Sequence, residues 1–502
     1  MNMKVFSLDG KYFKAFCGLL IFSLLYILPV VLANFYYIDD LGRSLSGYTG
    51  WNGNGRPLAS LLAVILSDGK PLMDVSTWIQ IASVIVFAYS LILFLKKYTP
   101  EATPFKLVCI AACSYLNFFL LENLSYKYDS LGMILSLSLF LVLYALPEFF
   151  SSKKQLAASI GAVVLSLSLY QATLGSYLSL IIIEYLYFLN KQAQWKVIGK
   201  RILMRFLGAA GGSLLYKLII IRIFVSKDGY SAEHASIVNP LSVQGLQKMA
   251  ANAVAFGDLF KAYASSLRFL GVLLVLTLII GVIYLAYTNW QQRTGSFPVK
   301  IGITLTILIS PFLLLMASVI SLVLLNIPVI APRVMLSFTI FTLFIGLIIF
   351  RLSETQKVFL AVAIIALICT LSFSSYYGNL LNRQERMNSL VASYLVLDMN
   401  ELETERKGKI DTLSFVGHVP KCPELLLASK KRPLFDRLIP IYMNNDWYWG
   451  GQYVSHYRKH TVRLNSEKDD KAYAEANVPL RQNEFYRLYL RDGKLIVLFA
   501  DN

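Results

Sequence analysis

The sequence predicts an all-α polytopic membrane protein with about eleven transmembrane helices and a small mixed α/β domain at its C-terminal end. Three observations carry that prediction. The 502-residue chain is 56% hydrophobic and only 15% charged, whereas a soluble globular chain carries about 25% charged residues. Apolar runs of about 20 residues, the length that crosses a bilayer, recur from Tyr12 to about Ser375. Beyond that point the pattern changes to aromatic and β-branched stretches separated by polar turns.

Apolar runs bounded by charge, Pro or Gly place the spans near 12–34, 74–95, 105–122, 129–147, 155–171, 173–190, 202–225, 267–288, 299–325, 333–350 and 357–375. The fifth and sixth are separate only if Tyr170 to Ser176 forms a tight turn; a merged helix would invert everything downstream. Basic residues test the count, because Lys and Arg in short loops gather on the cytoplasmic side. One set of loops carries Lys96, Lys97 and Lys106, then Lys153 and Lys154, then Lys191, Lys196, Lys200, Arg201 and Arg205, then Arg293 and Lys300, then Arg351 and Lys357. These join the N-terminus, with Lys4, Lys11 and Lys14 ahead of a first run that reads as a retained span and not a cleaved leader. The opposite set holds the segment 39–71, the 125–128 link, the Tyr170 turn, a longer loop at 226–265, the 326–333 link and the tail, all expected on the outer face.

The expected organisation is therefore a transmembrane domain over residues 1–375, with its first outer loop at 35–72, and an outer domain over 376–502. In the tail, Leu413 to Val419, Arg487 to Tyr489 and Leu495 to Phe499 read as strands, and Arg491-Asp492-Gly493-Lys494 reads as a hairpin turn. The net charge of +17 does not point to nucleic acid. Residues beyond Leu380 contribute roughly +3, so about +14 belongs to the membrane part, where it orients helices. Cys17, Cys109, Cys113 and Cys369 fall in apolar runs and Cys422 stands alone, which leaves no disulfide framework. The histidines His234, His418, His456 and His460 offer no supported metal site. No P-loop, dinucleotide fingerprint or HExxH helix occurs, so nucleotide-driven transport within this chain is excluded.

The segment Tyr36-Tyr37-Ile38-Asp39-Asp40-Leu41-Gly42-Arg43, followed by Gly50-Trp51-Asn52-Gly53-Asn54-Gly55-Arg56-Pro57-Leu58, stands out. Adjacent carboxylates repel, and a low-dielectric boundary disfavours charge. Asp39 or Asp40 therefore has a raised pKa suited to taking a proton from a hydroxyl. The competing reading is a solvated loop within an interfacial aromatic belt. Arg43, Arg56, Lys127, Arg222, Arg268 and Arg333 are expected to face one outer cavity that binds a phosphate, with interfacial snorkelling as the alternative for each. Tyr128, Asp129, Tyr170, Gln171 and Trp51 lie beside them as positioning residues. Glu184 and Lys217, roughly 16 Å and 12 Å from the outer helix ends at 1.5 Å per residue, are expected to pair across neighbouring helices. The cluster Trp447-Tyr448-Trp449 either packs on sugar rings or forms the tail's own core.

At Ile38-Asp39-Asp40-Leu41-Gly42-Arg43 and Gly55-Arg56-Pro57-Leu58 the sequence resembles the Gtr type II family of bacterial glucosyltransferases, which includes serotype-converting O-antigen glucosyltransferases. Tyr128-Asp129-Ser130, Leu169-Tyr170-Gln171-Ala172 and Pro332-Arg333-Val334 also look like that family's pattern, over roughly the first 350 residues. The resemblance implies a GT-C-like membrane glycosyltransferase, inverting, that passes glucose from undecaprenyl-phosphate glucose to an O-antigen glycan. It implies the periplasmic face of the bacterial inner membrane, with a cytoplasmic N-terminus and a periplasmic C-terminal domain. The family's catalytic acidic residue maps onto Asp39 or Asp40, with Arg43, Arg56 and Arg333 as leading phosphate contacts, Lys127 as a further one, and Asp129 positioning a hydroxyl. No metal or cofactor is expected. The partners are the lipid-linked donor, the glycan acceptor and membrane lipids, and no nucleic acid. A transporter or flippase for a lipid-linked glycan is the competing class; it calls for polar residues through the whole membrane depth, whereas this chain concentrates them at one face.

Overall fold

The computed structural model describes residues 6–146, 152–226, 234, 236–293, 296–445 and 447–500. Lys4, the last residue of the 129–147 run and most of the segment 227–235 lie outside the described residues. The protein is mostly helical. Its first elements are α1 (Lys11–Ala33), α2 (Asp39–Ser46), α3 (Pro57–Leu66), α4 (Ser76–Tyr98), α5 (Pro104–Ala112), α6 (Leu120–Ser125), α7 (Ser130–Ala145), α8 (Ser152–Leu169) and α9 (Leu174–Asn190). Then come α10 (Trp195–Leu215), α11 (Val243–Leu267), α12 (Phe269–Gln292), α13 (Phe297–Val323), α14 (Phe338–Ser353) and α15 (Val358–Arg406).

Every apolar run read from the sequence has a helical counterpart, and eight helices among the described residues are long and apolar enough to cross a membrane. Eleven spans are not established. The run at 105–122 breaks at Asn117, whose side-chain amide donates to Met335 O (3.2 Å) and Thr339 Oγ1 (2.9 Å), and the chain restarts as α6. Helix α7 is also short, and α8 opens on the polar turn Ser152-Lys153-Lys154-Gln155. The division at Tyr170 is real: Tyr170 is extended (φ −159°, ψ 115°), and a 3-10 turn over Gln171–Thr173 starts α9.

Two segments depart from the expectation. The stretch read as a loop at 226–265 contains α11, a 25-residue helix. It escapes an apolar-run search because only one stripe is buried, Gly245, Asn252, Phe256, Leu259, Tyr263 and Ser266, spaced at helical intervals. Ser242 caps it, its hydroxyl accepting from Gly245 N at 3.0 Å. The helix of the last run does not end at 375. Helix α15 runs 49 residues to Arg406, and its buried residues Tyr377, Leu381, Gln384, Asn388, Val391, Leu395, Met399 and Leu402 keep the period long after the composition turns polar. One helix therefore belongs both to the bundle and to the C-terminal region.

That region carries a five-stranded mixed sheet in the order β2-β1-β5-β4-β3, with β1 (Thr412–Val416), β2 (Arg463–Leu464), β3 (Arg481–Gln482), β4 (Tyr486–Arg491) and β5 (Lys494–Phe499). β1 is parallel to β2 and β5, and β4 is antiparallel to β3 and β5. The β4–β5 turn is the expected hairpin: Arg491 pairs with Lys494, and Asp492 and Gly493 both take positive φ, 50° and 80°, as a type I′ turn requires.

The buried ion pair is also different from the expected one. Glu184 does not meet Lys217, which is exposed. It is gripped by Arg205 Nε (2.8 Å) and Arg201 Nε (2.9 Å), with Lys97 Nζ at 3.8 Å. Arg201 and Arg205, read as loop cations, lie one turn apart on α10 and point into the bundle, because a buried carboxylate needs paired donors. Replacing Glu184 by Ala leaves two arginines buried without their partner and should destabilise the protein by about 3–5 kcal/mol, whereas Lys217→Ala should change little. Thermal unfolding of both variants in detergent checks the contrast.

Candidate active site

At the end of the bundle that carries the C-terminal region, the chain leaves α1 through Asn34 in the left-handed conformation (φ 48°) and enters α2 through Ile38, also at positive φ (48°). A β-branched residue rarely adopts that conformation, so the neighbours must hold it. They do so from both sides. Asp40, fully buried, accepts Tyr37 N (3.1 Å) and Lys127 N (2.7 Å) on Oδ2 and Tyr128 N (3.4 Å) on Oδ1. The Tyr442 hydroxyl accepts Ile38 N (3.0 Å) and donates to Tyr36 O (2.7 Å), and Tyr37 Oη donates to Leu438 O (2.6 Å). Burial pushes the Asp40 carboxyl up to about 8, against the pull of the Lys127 and Tyr37 N–H groups.

The two aspartates thus have different environments. Asp39 keeps 43% of its side chain exposed, and its nearest ion pair is Arg43 Nη1 at 3.8 Å. It accepts no hydrogen bond among the described residues. Its pKa is raised by the mass of protein around it, while Arg43, Arg333 and Arg56 pull it down and Asp129 pushes it up.

Arg43 is buried and spends its charge on the protein. Its Nη1 meets Asp129 Oδ2 at 2.7 Å, and its guanidinium lies over the Trp51 ring at 4.0 Å. The other Asp129 oxygen accepts Trp51 Nε1, so Asp129 clamps Arg43 and Trp51 together. Tyr128 packs in the same cluster, with Trp51, Ala63 and Leu72.

Arg56 sits differently. Its Nε donates to Gln171 Oε1 (2.6 Å) and its guanidinium lies 4.7 Å over the Tyr170 ring, while both Nη groups make no hydrogen bond or ion pair among the described residues. Gln171 also donates to Asn54 O (2.6 Å) and Tyr216 Oη (2.9 Å), and Tyr216 donates to Gly55 O (2.9 Å). Tyr216 opens a π-helical turn, Tyr216–Ile221, that extends α10. Gly55 (φ 72°) has no room for a side chain: a Cβ would lie 2.6 Å from Tyr216 Oη.

Arg333 completes the set. Its Nη1 and backbone N meet the two oxygens of the buried Glu122 at 2.9 and 2.8 Å, and its carbonyl accepts Tyr170 Oη at 3.1 Å. One side of Arg333 is therefore anchored, and its side chain retains 26% exposure.

The six cations expected to face one cavity have different surroundings. Arg43, Arg56 and Arg333 gather around Asp39. Lys127 is turned away by the Asp40 hydrogen bonds, its ammonium held by Asn34 Oδ1 (2.7 Å), Asp74 Oδ2 (3.3 Å) and the Tyr36 ring (3.9 Å). Arg222 is exposed beyond the π turn, and Arg268 is exposed at the start of α12. No group of three or more His, Cys, Asp or Glu among the described residues is placed to hold a metal ion. Several site residues escaped the sequence reading. Glu122 had a signal, a lone acid inside an apolar run. Tyr216, Tyr442 and His456 had none, since only the fold brings them to the first loop; the His456 ring stacks on Tyr36 (5.6 Å) and meets Ser44 Oγ at 3.3 Å.

A family model for the glucosyl transferase GtrII matches residues 28–350, which includes every member of this cluster from Asp39 to Arg333. The chain belongs to the GtrII glucosyl transferase family. A protein of Salmonella phage P22, described as an uncharacterized 55.3 kDa protein in the gtrB 5′ region, is 27% identical over 450 residues, covering 89% of this chain and 90% of the relative. No solved structure matches. As a GtrII member with helices long and apolar enough to cross a membrane, the protein is a membrane glycosyltransferase.

Two substitutions test what holds its first loop. Tyr442→Phe removes one acceptor and one donor from the strained turn at Ile38 and should cost about 1–3 kcal/mol. Asp40→Asn, which turns an amide donor toward backbone N–H groups, should cost a similar amount, whereas Asp39→Asn should unfold at the wild-type temperature. Thermal unfolding of the three variants gives the comparison.

Proposed function

We propose that this GtrII protein transfers glucose from undecaprenyl-phosphate glucose to an O-antigen repeat unit, in serotype conversion, at the periplasmic face of the bacterial inner membrane. The observation that carries the reading is the pairing of one half-exposed carboxylate that accepts no hydrogen bond among the described residues, Asp39, with two arginines, Arg56 and Arg333, that keep free N–H donors. A sugar linked to a lipid phosphate is already activated, so the protein must supply a base for the incoming hydroxyl and cations for the departing phosphate. Asp39 takes the proton from the acceptor hydroxyl as its oxygen bonds to the glucose anomeric carbon. The carbon–oxygen bond to phosphate breaks with its electron pair leaving on the lipid phosphate, which Arg56 and Arg333 receive. Attack opposite the leaving group inverts the anomeric centre. Asp40, Asp129 and Glu122 act through others, as positioning residues for the loop, for Arg43 and for Arg333. Residues 1–375 form the transmembrane catalytic part in this reading, and 376–502 a periplasmic domain, with the N-terminus cytoplasmic. Membership of the GtrII family, the basic residues alternating between loops and the polar cluster at one end of the bundle support this assignment.

Purified full-length protein in lipid nanodiscs, given labelled undecaprenyl-phosphate glucose and an O-antigen acceptor without an energy source, should form labelled glycan. Asp39→Asn should lower the rate by roughly 10²–10⁴-fold, the usual range for a general base. Full activity in that variant sinks the role of Asp39, and no transfer by wild type sinks the substrate assignment. A base works only when deprotonated, so kcat/KM should fall as pH drops through the raised Asp39 pKa, above the ordinary carboxylate value of 3.8. Arg56 pulls that pKa down, so Arg56→Gln should move the acid limb to higher pH as well as slowing transfer; a limb unmoved in that variant argues against Asp39 as the titrating group.

A further inference from the structure

An aromatic surface beside Asp39 is used by none of these steps. Tyr48, two residues past the end of α2, is 41% exposed, and Tyr448, from the C-terminal region, is 60% exposed. Tyr448 meets Trp449 edge to face at 5.1 Å. Trp449 and Tyr48 converge over Gly42: a Cβ there would lie 3.2 Å from each of them, so the rings from the two ends of the chain come together because α2 has no side chain at that position. Arg43, one residue on, lies 5.6 Å beneath the Tyr48 ring, and Tyr48 feels the charges of both Asp39 and Arg43. The surface is therefore contiguous with the acidic residue. The expected triplet is divided by the fold: Trp447 turns inward onto Tyr442 at 5.6 Å, Trp449 is half-buried against α2, and Tyr448 is left facing out.

We propose that Tyr48, Tyr448 and Trp449 form the acceptor subsite, a platform on which one hexose ring of the acceptor glycan stacks while a neighbouring hydroxyl reaches Asp39. Exposed aromatic faces match the apolar C–H faces of pyranose rings, and the rim carries polar groups suited to sugar hydroxyls. The Tyr448 hydroxyl accepts from Gln452 Nε2 at 2.7 Å, which fixes the ring and keeps the hydroxyl proton available to a ligand. A lipid chain is a poorer match, because the platform adjoins the charges of Asp39 and Arg43 and would place hydrocarbon against them. The assignment rests on the transferase reading for its substrate. It makes the C-terminal region the part that selects the acceptor, and the cluster Arg56–Arg333 the part that takes the donor.

The test uses full-length protein in nanodiscs and compares wild type, Tyr448→Ala and Tyr448→Phe. Tyr448 is exposed, so neither change should alter thermal unfolding. In transfer assays Tyr448→Ala should raise the KM for delipidated O-polysaccharide about tenfold or more while the KM for undecaprenyl-phosphate glucose stays within twofold, and Tyr448→Phe, which keeps the ring, should recover most of the loss. An unchanged acceptor KM in Tyr448→Ala overturns the platform, and so does an equal rise in both KM values. Saturation-transfer NMR with the same polysaccharide separates this failure from that of the transferase reading. Wild type that binds glycan but transfers nothing, with binding lost in Tyr448→Ala, keeps the platform and rejects the transferase chemistry. Wild type that binds none of the polysaccharides in a panel of differing serotypes rejects the platform.

Discussion

The buried carboxylate of Asp40 is the constraint on which the rest of the site depends. By accepting backbone N–H groups from both its own loop and the segment that starts α7, it locks α2 against the bundle and fixes which way every neighbouring side chain faces. The peptide N–H of Lys127 is consumed by Asp40, so the Lys127 ammonium points toward Asp74 and Asn34. Two residues on, Asp129 faces the other way, onto Arg43. Asp39, adjacent to Asp40 on the helix, is left half-exposed with Arg43, Arg333 and Arg56 around it. Two identical side chains in sequence thus take opposite roles, one as an acceptor of backbone hydrogen bonds and one as an exposed acid. Most buried polar groups are paired, whereas a half-exposed carboxylate that accepts no hydrogen bond is free to meet a ligand.

The C-terminal region is as much part of this arrangement as the membrane helices. Tyr442 and Leu438 hold the strained entry to α2, His456 stacks on Tyr36 and meets α2 at Ser44, and Trp449 covers Gly42. Helix α15 makes the connection rigid, because the element that packs against α1 continues without a break into the C-terminal region. A backbone conformation as unfavourable as that of Ile38 persists only where its surroundings over-determine it, and here those surroundings come from residues about 400 positions away in the chain.

The cations divide by what they have left to offer. Arg43 is held by Asp129 through Nη1 and by the Trp51 ring, and Arg201 and Arg205 by Glu184, in each case because desolvating a guanidinium requires a partner. Arg56 is anchored through Nε alone and Arg333 through Nη1, a geometry that orients a planar guanidinium while leaving donors in its plane. Arg222 and Arg268 are exposed, and their side chains have no hydrogen bond or ion pair among the described residues that would orient them.

The membrane character, the helical runs and the hairpin at Asp492-Gly493 were legible in the residues alone, as was the acidic pair of the first loop. Each of these rests on local physics: twenty apolar residues in series cross a bilayer, two residues at positive φ reverse a chain, and an acidic pair next to a hydrophobic run is costly wherever it sits. Long-range packing was needed to show which aspartate is buried, that Glu184 meets Arg201 and Arg205 and not Lys217, that the Lys127 ammonium meets Asn34 and Asp74, and that α11 and the polar half of α15 are helical. The partners in those pairs are separated by up to several hundred residues or by a helical turn whose phase depends on packing. Hydropathy records how much apolar surface a segment has, whereas the direction in which a single polar atom points is set by the donors and acceptors that the whole fold brings within 3 Å of it.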